Sequence, residues 1–538
     1  MAAATEGHRN GVRRVQRQLV LEEIEPRIAP AGGVVTAVVG GTLVITGDDS
    51  ANDIVIDHVG PGLHDIRISS GADATTIDGQ ASVTVQNVTK DVKILLAGGD
   101  DKVSVAGIDV ARNLVVDDRA GNNQFSMDPA SVIRGSLTVK NGDGNELVAI
   151  AGTVTGNVTI TEGRGDTIVG VAGAVGGGVS VREGDGAHMF AASNLTVGGN
   201  LAISHGNGST SVQIQGTQIH GGVKVTAKTG ADEFILDSST VGRSVALSNG
   251  VGGSAATIEG STVKGSLAAK NSDGDDVYDI LNSSLLSVTL RNGAGGSHLL
   301  MDRVTIAKSV GVVNGDGYDD VAVNNSTIKG SMSVNHGSGD SATILVSASI
   351  GMGDSGKGGA GSLMVKGGDG QDGVLGLRMN VGRNMSLSLG NGDNAAQLEY
   401  VQVVGNASVK GGGGTDQVYT DRVYMNRAFS INTGSGNDGV RLDDANVQGV
   451  DTAAGVVFAD GEPTLAGSVF NGAVRINLGA GDDALAVGTS AGTGNPLVFR
   501  GSVTVNGGSG NDAAHCSAAN YNVYYHKNPT LPGVETKD

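Results

Sequence analysis

Gly368-Asp369-Gly370-Gln371-Asp372 is one copy of a turn that recurs along most of the chain. The same Gly-x-Gly-x-Asp form stands at Gly315-Asp316-Gly317-Tyr318-Asp319, Gly434-Ser435-Gly436-Asn437-Asp438 and Gly508-Ser509-Gly510-Asn511-Asp512. Looser copies begin at Gly142, Gly163, Gly184, Gly206, Gly250, Ser272, Gly293, Gly337, Gly390, Gly412 and Gly479. The starts at Gly368, Gly390, Gly412 and Gly434 lie 22 residues apart. A fixed period of this length is the signature of a solenoid, in which each repeat is one supersecondary unit.

The stretch Gly135 to Gly156 shows what one unit contains. Leu137 and Val139 alternate with polar residues, which is strand periodicity. Asn141 to Asn145 is rich in residues that tolerate positive φ and reads as a turn. Leu147 to Ile150 forms a second strand, and Thr153-Val154-Thr155 leads to another glycine corner at Gly156. The spacing therefore predicts two or three short strands per coil. One coil cannot bury its own apolar face, but stacked coils make a continuous core. At about 4.8 Å per coil, about twenty coils predict a rod on the order of 100 Å long. The fold expected is all-β, a single-chain parallel β-solenoid with coils of about 22 residues.

Composition agrees. Of 538 residues, 90 are Gly, yet 39% of the chain is hydrophobic, too much for a disordered chain. Aromatic residues are scarce and Trp is absent, so Val, Ile, Leu and Ala must fill a narrow core. The net charge of −19 argues against nucleic acid as a partner, which needs a basic face. It would attract divalent cations instead. Cys516 is the only cysteine, so no intrachain disulfide can form, and a bacterial exoprotein stabilised by repetition is the simpler reading.

The ends depart from the repeat. Arg9, Arg13, Arg14, Arg17 and Arg27 make the first 30 residues the most basic segment, and no apolar run there or elsewhere is long enough for a membrane span. Within it, Leu21-Glu22-Glu23-Ile24-Glu25-Pro26-Arg27-Ile28-Ala29-Pro30-Ala31 resembles the N-terminal LEPR-type motif of large repeat-containing exoproteins from planctomycete-like bacteria, with Ile where Leu is usual. That resemblance implies export or surface sorting. Gly41 to Asp49 and Asn52 to Ile56 read as a hairpin-like pair capping the first coil. After Asp512 the repeat is lost, and Tyr521, Tyr524, Tyr525, Pro529 and Pro532 suggest a terminal cap. The expected layout is a basic tail over 1–33, a cap with the first coils over 34–97, repeats over 98–512 and a cap over 513–538. Irregular spacing at Gly351 to Gly361 and between Gly434 and Gly479 points to inserted loops.

The turn admits two chemical readings. Gly367 to Asp372, Gly411 to Asp416 and Gly507 to Asp512 match the first six positions of Gly-Gly-x-Gly-x-Asp-x-apolar-x, and so resemble the calcium-binding nonapeptide of the RTX family. Calcium takes six to eight oxygens, and stacked turns could share an ion. On this reading the metal-ligating candidates are Asp319, Asp372, Asp393, Asp416, Asp438, Asp483 and Asp512, with Ca2+ rigidifying the C-terminal half. The other reading is a plain corner whose Asp bonds its own backbone. In its favour, each coil carries the motif once, not twice, and turns such as Gly206 to Thr210 have no carboxylate.

A β-helical carbohydrate-active enzyme, a polysaccharide lyase or hydrolase, is the rival from another class. Such a site needs carboxylates at a set separation on one face, and sugar clefts favour aromatic platforms that this chain lacks. His58, His188, His205, His220, His298 and His336 are far apart in sequence, and His205 and His336 read as surface residues before a turn. The pairs Asp319-Asp320 and Asp443-Asp444 read as solvated corners. No nucleophile elbow, metalloprotease helix or P-loop is visible. The expectation is a non-enzymatic rod, secreted or at the cell surface, with a structural or adhesive role. Its expected partners are cell-surface or extracellular matrix components, or copies of itself.

Overall fold

The computed structural model describes residues 32–59, 65–73, 75–353, 359–442, 467–488, 497–515, 523–525, 530–534 and 536–537. The basic tail with its LEPR-like stretch, Asp443-Asp444, Cys516 and Tyr521 lie outside them. The described residues are all-β and form three parallel ladders that wind as one solenoid.

Each coil contributes three strands, one per face. On the first face Leu114–Asp117, Leu137–Lys140 and Val158–Thr161 pair in parallel, Leu114 on Leu137 and Leu137 on Val158. On the second, Gln124–Met127 pairs with Glu146–Ile150. The third carries two-residue strands such as Val132–Ile133 and Thr153–Val154. Alternate residues point inward, so Val148, Val169 and Phe190 stack in one column and Val154, Val175 and Val197 in another, all buried. Near the C-terminal end Phe429, Phe470 and Phe499 stack at centroid distances of 5.7 and 4.9 Å. The repeat is thus the length of chain that returns a side chain to the same column one coil higher.

Glycine stands at the corner between the first and second faces for a steric reason. A Cβ on Gly144, Gly165 or Gly186 would lie 1.8, 1.9 or 2.0 Å from the carbonyl oxygen of the equivalent glycine one coil below. Only a residue without Cβ lets the corners stack at strand spacing. The corner between the second and third faces is also left-handed, yet it takes other residues. Ser238, Asn282, Arg303, Asn325, Ser347, Arg378, Tyr400 and Arg422 all sit there at φ of 48 to 54°. Single residues tolerate this conformation, and buried hydroxyls beside it support the turn. Ser239, Ser261 and Ser283 each accept a backbone N–H from the coil below, at 3.0 Å.

The ends differ from expectation in their pairing. Thr42–Gly47 and Asp53–His58 do not pair with each other. They are successive sides of the first coil, stacking in parallel on Val92–Leu95 and Lys102–Ala106. The antiparallel hairpins are made instead by Gly33–Val39 on Thr42–Gly47 and by Ile66–Ser70 on Asp53–His58. At the other end pairing continues past Asp512, with Val523–Tyr525 on Leu497–Phe499 and Thr536–Lys537 on Ala513–His515.

Candidate functional site

At each glycine corner two positions face inward, one just before the turn and one five residues later; the second is polar in nearly every coil, while the first varies between polar, apolar and glycine. Glu183 and His188 flank Gly184 to Ala187 in this way, and Asn314 and Asp319 flank Gly315 to Tyr318. Stacked over the coils, these positions make two inward columns at the glycine corner, rich in buried polar and acidic side chains.

Six of the seven expected metal ligands belong to the second column. Asp319, Asp372, Asp416, Asp438, Asp483 and Asp512 are all buried there. Asp393 is not among them: it stands one position earlier in its turn and is exposed, accepting the Thr415 N–H at 2.8 Å, and Asn394 takes the inward place. The column is linked coil to coil. Asn394 Oδ1 accepts from Asp372 N (2.9 Å), Asp438 Oδ1 from Asp416 N (2.9 Å), and Asp483 Oδ1 from Asp438 N (2.8 Å). The other oxygen can fold back on its own turn, as Asp372 Oδ2 does to Gly368 N (2.9 Å) and Asp416 Oδ2 to Gly412 N (3.1 Å). This gives the leading glycine of the RTX-like match a packing role, because a Cβ on Gly367 or Gly411 would collide with the Asp372 or Asp416 carboxylate. Burial pushes Asp416 and Asp483 up to about 6, against the pull of those hydrogen bonds.

The N-terminal half carries the strongest electrostatic anomaly, and none of it was expected from sequence. Asp101, Asp118, Glu146, Glu162 and Glu183 are buried in the two columns over five successive coils, and Asp232 follows two coils later. Burial, reinforced by the charges of Asp101 and Glu146, pushes Asp118 up to about 8. Glu146 is raised to about 8 by burial and by Glu162. Glu162 reaches about 8 by burial, with the charge of Glu183 adding. Stacked carboxylates in a dry interior hold protons because neither desolvation nor mutual repulsion favours the anion.

The histidines are neither all isolated nor all on the surface. His188 and His205 stack inside the corner with centroids 5.4 Å apart, and His205 Nδ1 lies against Glu183 Oε2. His336 is also buried, with Nε2 at 2.8 Å from Thr343 Oγ1, and burial lowers it to about 4. His298 is half-exposed on the second face, and the Asp320 carboxylate 3.2 Å away raises it. Thus in Asp319-Asp320 the first acid is buried and the second pairs with an imidazole. The signal for the His188–His205 contact was present in the sequence: aligning every turn on its first glycine places both residues in the inward columns of adjacent coils.

No protein-family model and no curated protein matches this chain.

Proposed function

We propose that the chain is a structural or adhesive rod, exported to the cell surface or medium, that acts through its length and its three flat faces. The observation that carries this reading is the coil-to-coil hydrogen bonding of the corners. Asp and Asn side chains there cap the next coil's backbone: Asp143 takes Arg164 N, Asp166 takes Ala187 N, and Asp185 takes Asn207 N, at 2.8 to 2.9 Å. Polar groups are spent on continuity. The carboxylates most suited by protonation to acid catalysis, Asp118, Glu146 and Glu162, face the interior, where a polysaccharide has no access. That supports a rod over a lyase or hydrolase. The acidic surface and the LEPR-like segment support an exterior location, and among the described residues no helix is long and apolar enough to cross a membrane.

Two measurements test the proposal. Small-angle scattering of the purified chain should give a rigid rod on the order of 90 Å along its axis, at about 4.8 Å per coil. Protease shaving of intact producing cells should release the chain or leave it in the medium. Retention in the cytoplasm, or depolymerisation of acidic polysaccharides by the pure protein, would overturn it.

A further inference from the structure

We propose that Glu183, His188 and His205 form an internal binding site for one divalent transition metal, of which zinc is the type. One donor atom of each lies within 4.8 Å of the others, and all three residues are buried. They come from two adjacent coils: Glu183 and His188 flank one glycine turn, and His205 opens the next. A metal there would bolt the coils together at the corner.

The donor set selects the metal. Two imidazoles and one carboxylate suit zinc and its neighbours in the first transition row, whereas calcium and magnesium take oxygen. The ring of His188 is already oriented for the task. Its Nε2 lies 3.0 Å from the Gly184 carbonyl oxygen, so Nε2 carries the proton and donates it there, leaving the Nδ1 lone pair open. A carbonyl that accepts from the other ring nitrogen, and so fixes the tautomer, is the usual companion of a metal-bound histidine. His188 Nδ1 and His205 Nε2 have no hydrogen-bond partner among the protein's atoms, nor has Glu183 Oε1, and all three are buried from the surface. A proton shared between His205 and Glu183 accounts for one contact and leaves those three atoms unanswered. A metal answers the need for a common partner.

Both the Glu183 and His205 side chains are wholly inaccessible, so the ion enters as the coils stack and is held closed afterwards. Binding is then coupled to folding, as in other structural sites. His336 is the internal control, being equally buried but bonded through Nε2 to Thr343.

The test uses the full chain produced in medium supplemented with zinc or with cobalt, then dialysed against chelator in the native state and analysed for metal by mass spectrometry. Wild type and His336→Gln should retain the metal, and His188→Gln and Glu183→Gln should hold at least about tenfold less. The cobalt form should show visible absorption bands of a low-symmetry nitrogen and oxygen site, a readout in wild type that stands even where a variant fails to fold. Wild type that retains neither metal, a cobalt spectrum identical to the aquo ion, or undiminished metal in His188→Gln and Glu183→Gln would each overturn the proposal.

Discussion

Replacing Gly165 by Ala tests whether the corner glycines serve stacking. Gly165 has φ of 133°, and a Cβ there would stand 1.9 Å from the Gly144 carbonyl oxygen. Reaching an ordinary carbon contact of about 3.5 Å needs the two corners to part by about 1.5 Å. That movement strains two coil-to-coil bonds, Gly144 N to Arg164 O (2.8 Å) and Gly163 N to Gly142 O (2.9 Å). At about 1 kcal/mol each, with about 1 to 3 kcal/mol for a side chain in that backbone region, the loss is about 3 to 5 kcal/mol. Gly311→Ala is the matched control, since its Cβ would meet nothing within 4 Å. It should be neutral or stabilising by about 0.5 kcal/mol through the unfolded chain. A solenoid unfolds through neighbouring repeats, so guanidinium unfolding should be paired with hydrogen exchange read over residues 142–188. The reasoning fails if Gly165→Ala stays within about 1 kcal/mol of wild type, or if the exchange change is no larger than in Gly311→Ala.

Four further outcomes follow from the same geometry. Asp118 keeps its proton to about pH 8 in the folded chain and only to about 4 when unfolded. Its contribution is therefore full below pH 4 and lost as pH rises through 8; Asp118→Asn should flatten the stability–pH profile, stabilising the chain at pH 9 relative to wild type in parallel urea titrations. Asp416→Ala strands the N–H donors of Gly412 and Asn394 in the interior and should cost about 2 kcal/mol, measured by the same titration. Phe470→Ala empties the middle of the Phe429–Phe470–Phe499 stack and should cost about 3 to 5 kcal/mol. Asp372 and Asp416 spend both oxygens on protein donors, while Asp438 and Asp483 each keep one oxygen unbonded; a column that acts only as a corner gives the same melting temperature with and without millimolar calcium, and a rise in calcium would show that the ion holds the C-terminal coils.

Much of the architecture was legible because stacking imposes one period on everything. Leu137, Val139 and Thr153-Val154 fall in strands as read, and the turn at Asn141 to Asn145 falls between two faces. The pairing at the N-terminal end was less legible, since Thr42–Gly47 has the alternation of either a hairpin arm or a solenoid side. Partner choice there depends on residues far along the chain. The polar columns escaped notice for a different reason. Reading carboxylates by motif gathers Asp393 with Asp416, although the two project to opposite sides of the backbone. Reading histidines by sequence distance separates His188 from His205, although parallel winding makes them neighbours. Only position within the turn, counted from its first glycine, sorts inward from outward residues.

The chain lengthens only where the corner allows it. Ser331 Oγ accepts from Ser362 N, 31 residues on, because extra chain follows Ser349–Ile350 at the corner leading back to the first face. Asp438 meets Asp483 at a separation of 45, and Asp483 meets Asp512 at 29. In both cases the addition follows a second-face strand, Gly439–Leu442 or Ala484–Val487. The glycine corner keeps its length throughout, because its carbonyls and Cα atoms are interlocked with the coils on either side. The rod is therefore a modular mount with one fixed edge and two permissive ones. Epitopes, tags or whole domains grafted after Val487 should be carried without disturbing the winding, whereas the same graft between Gly184 and Ala187 should break it.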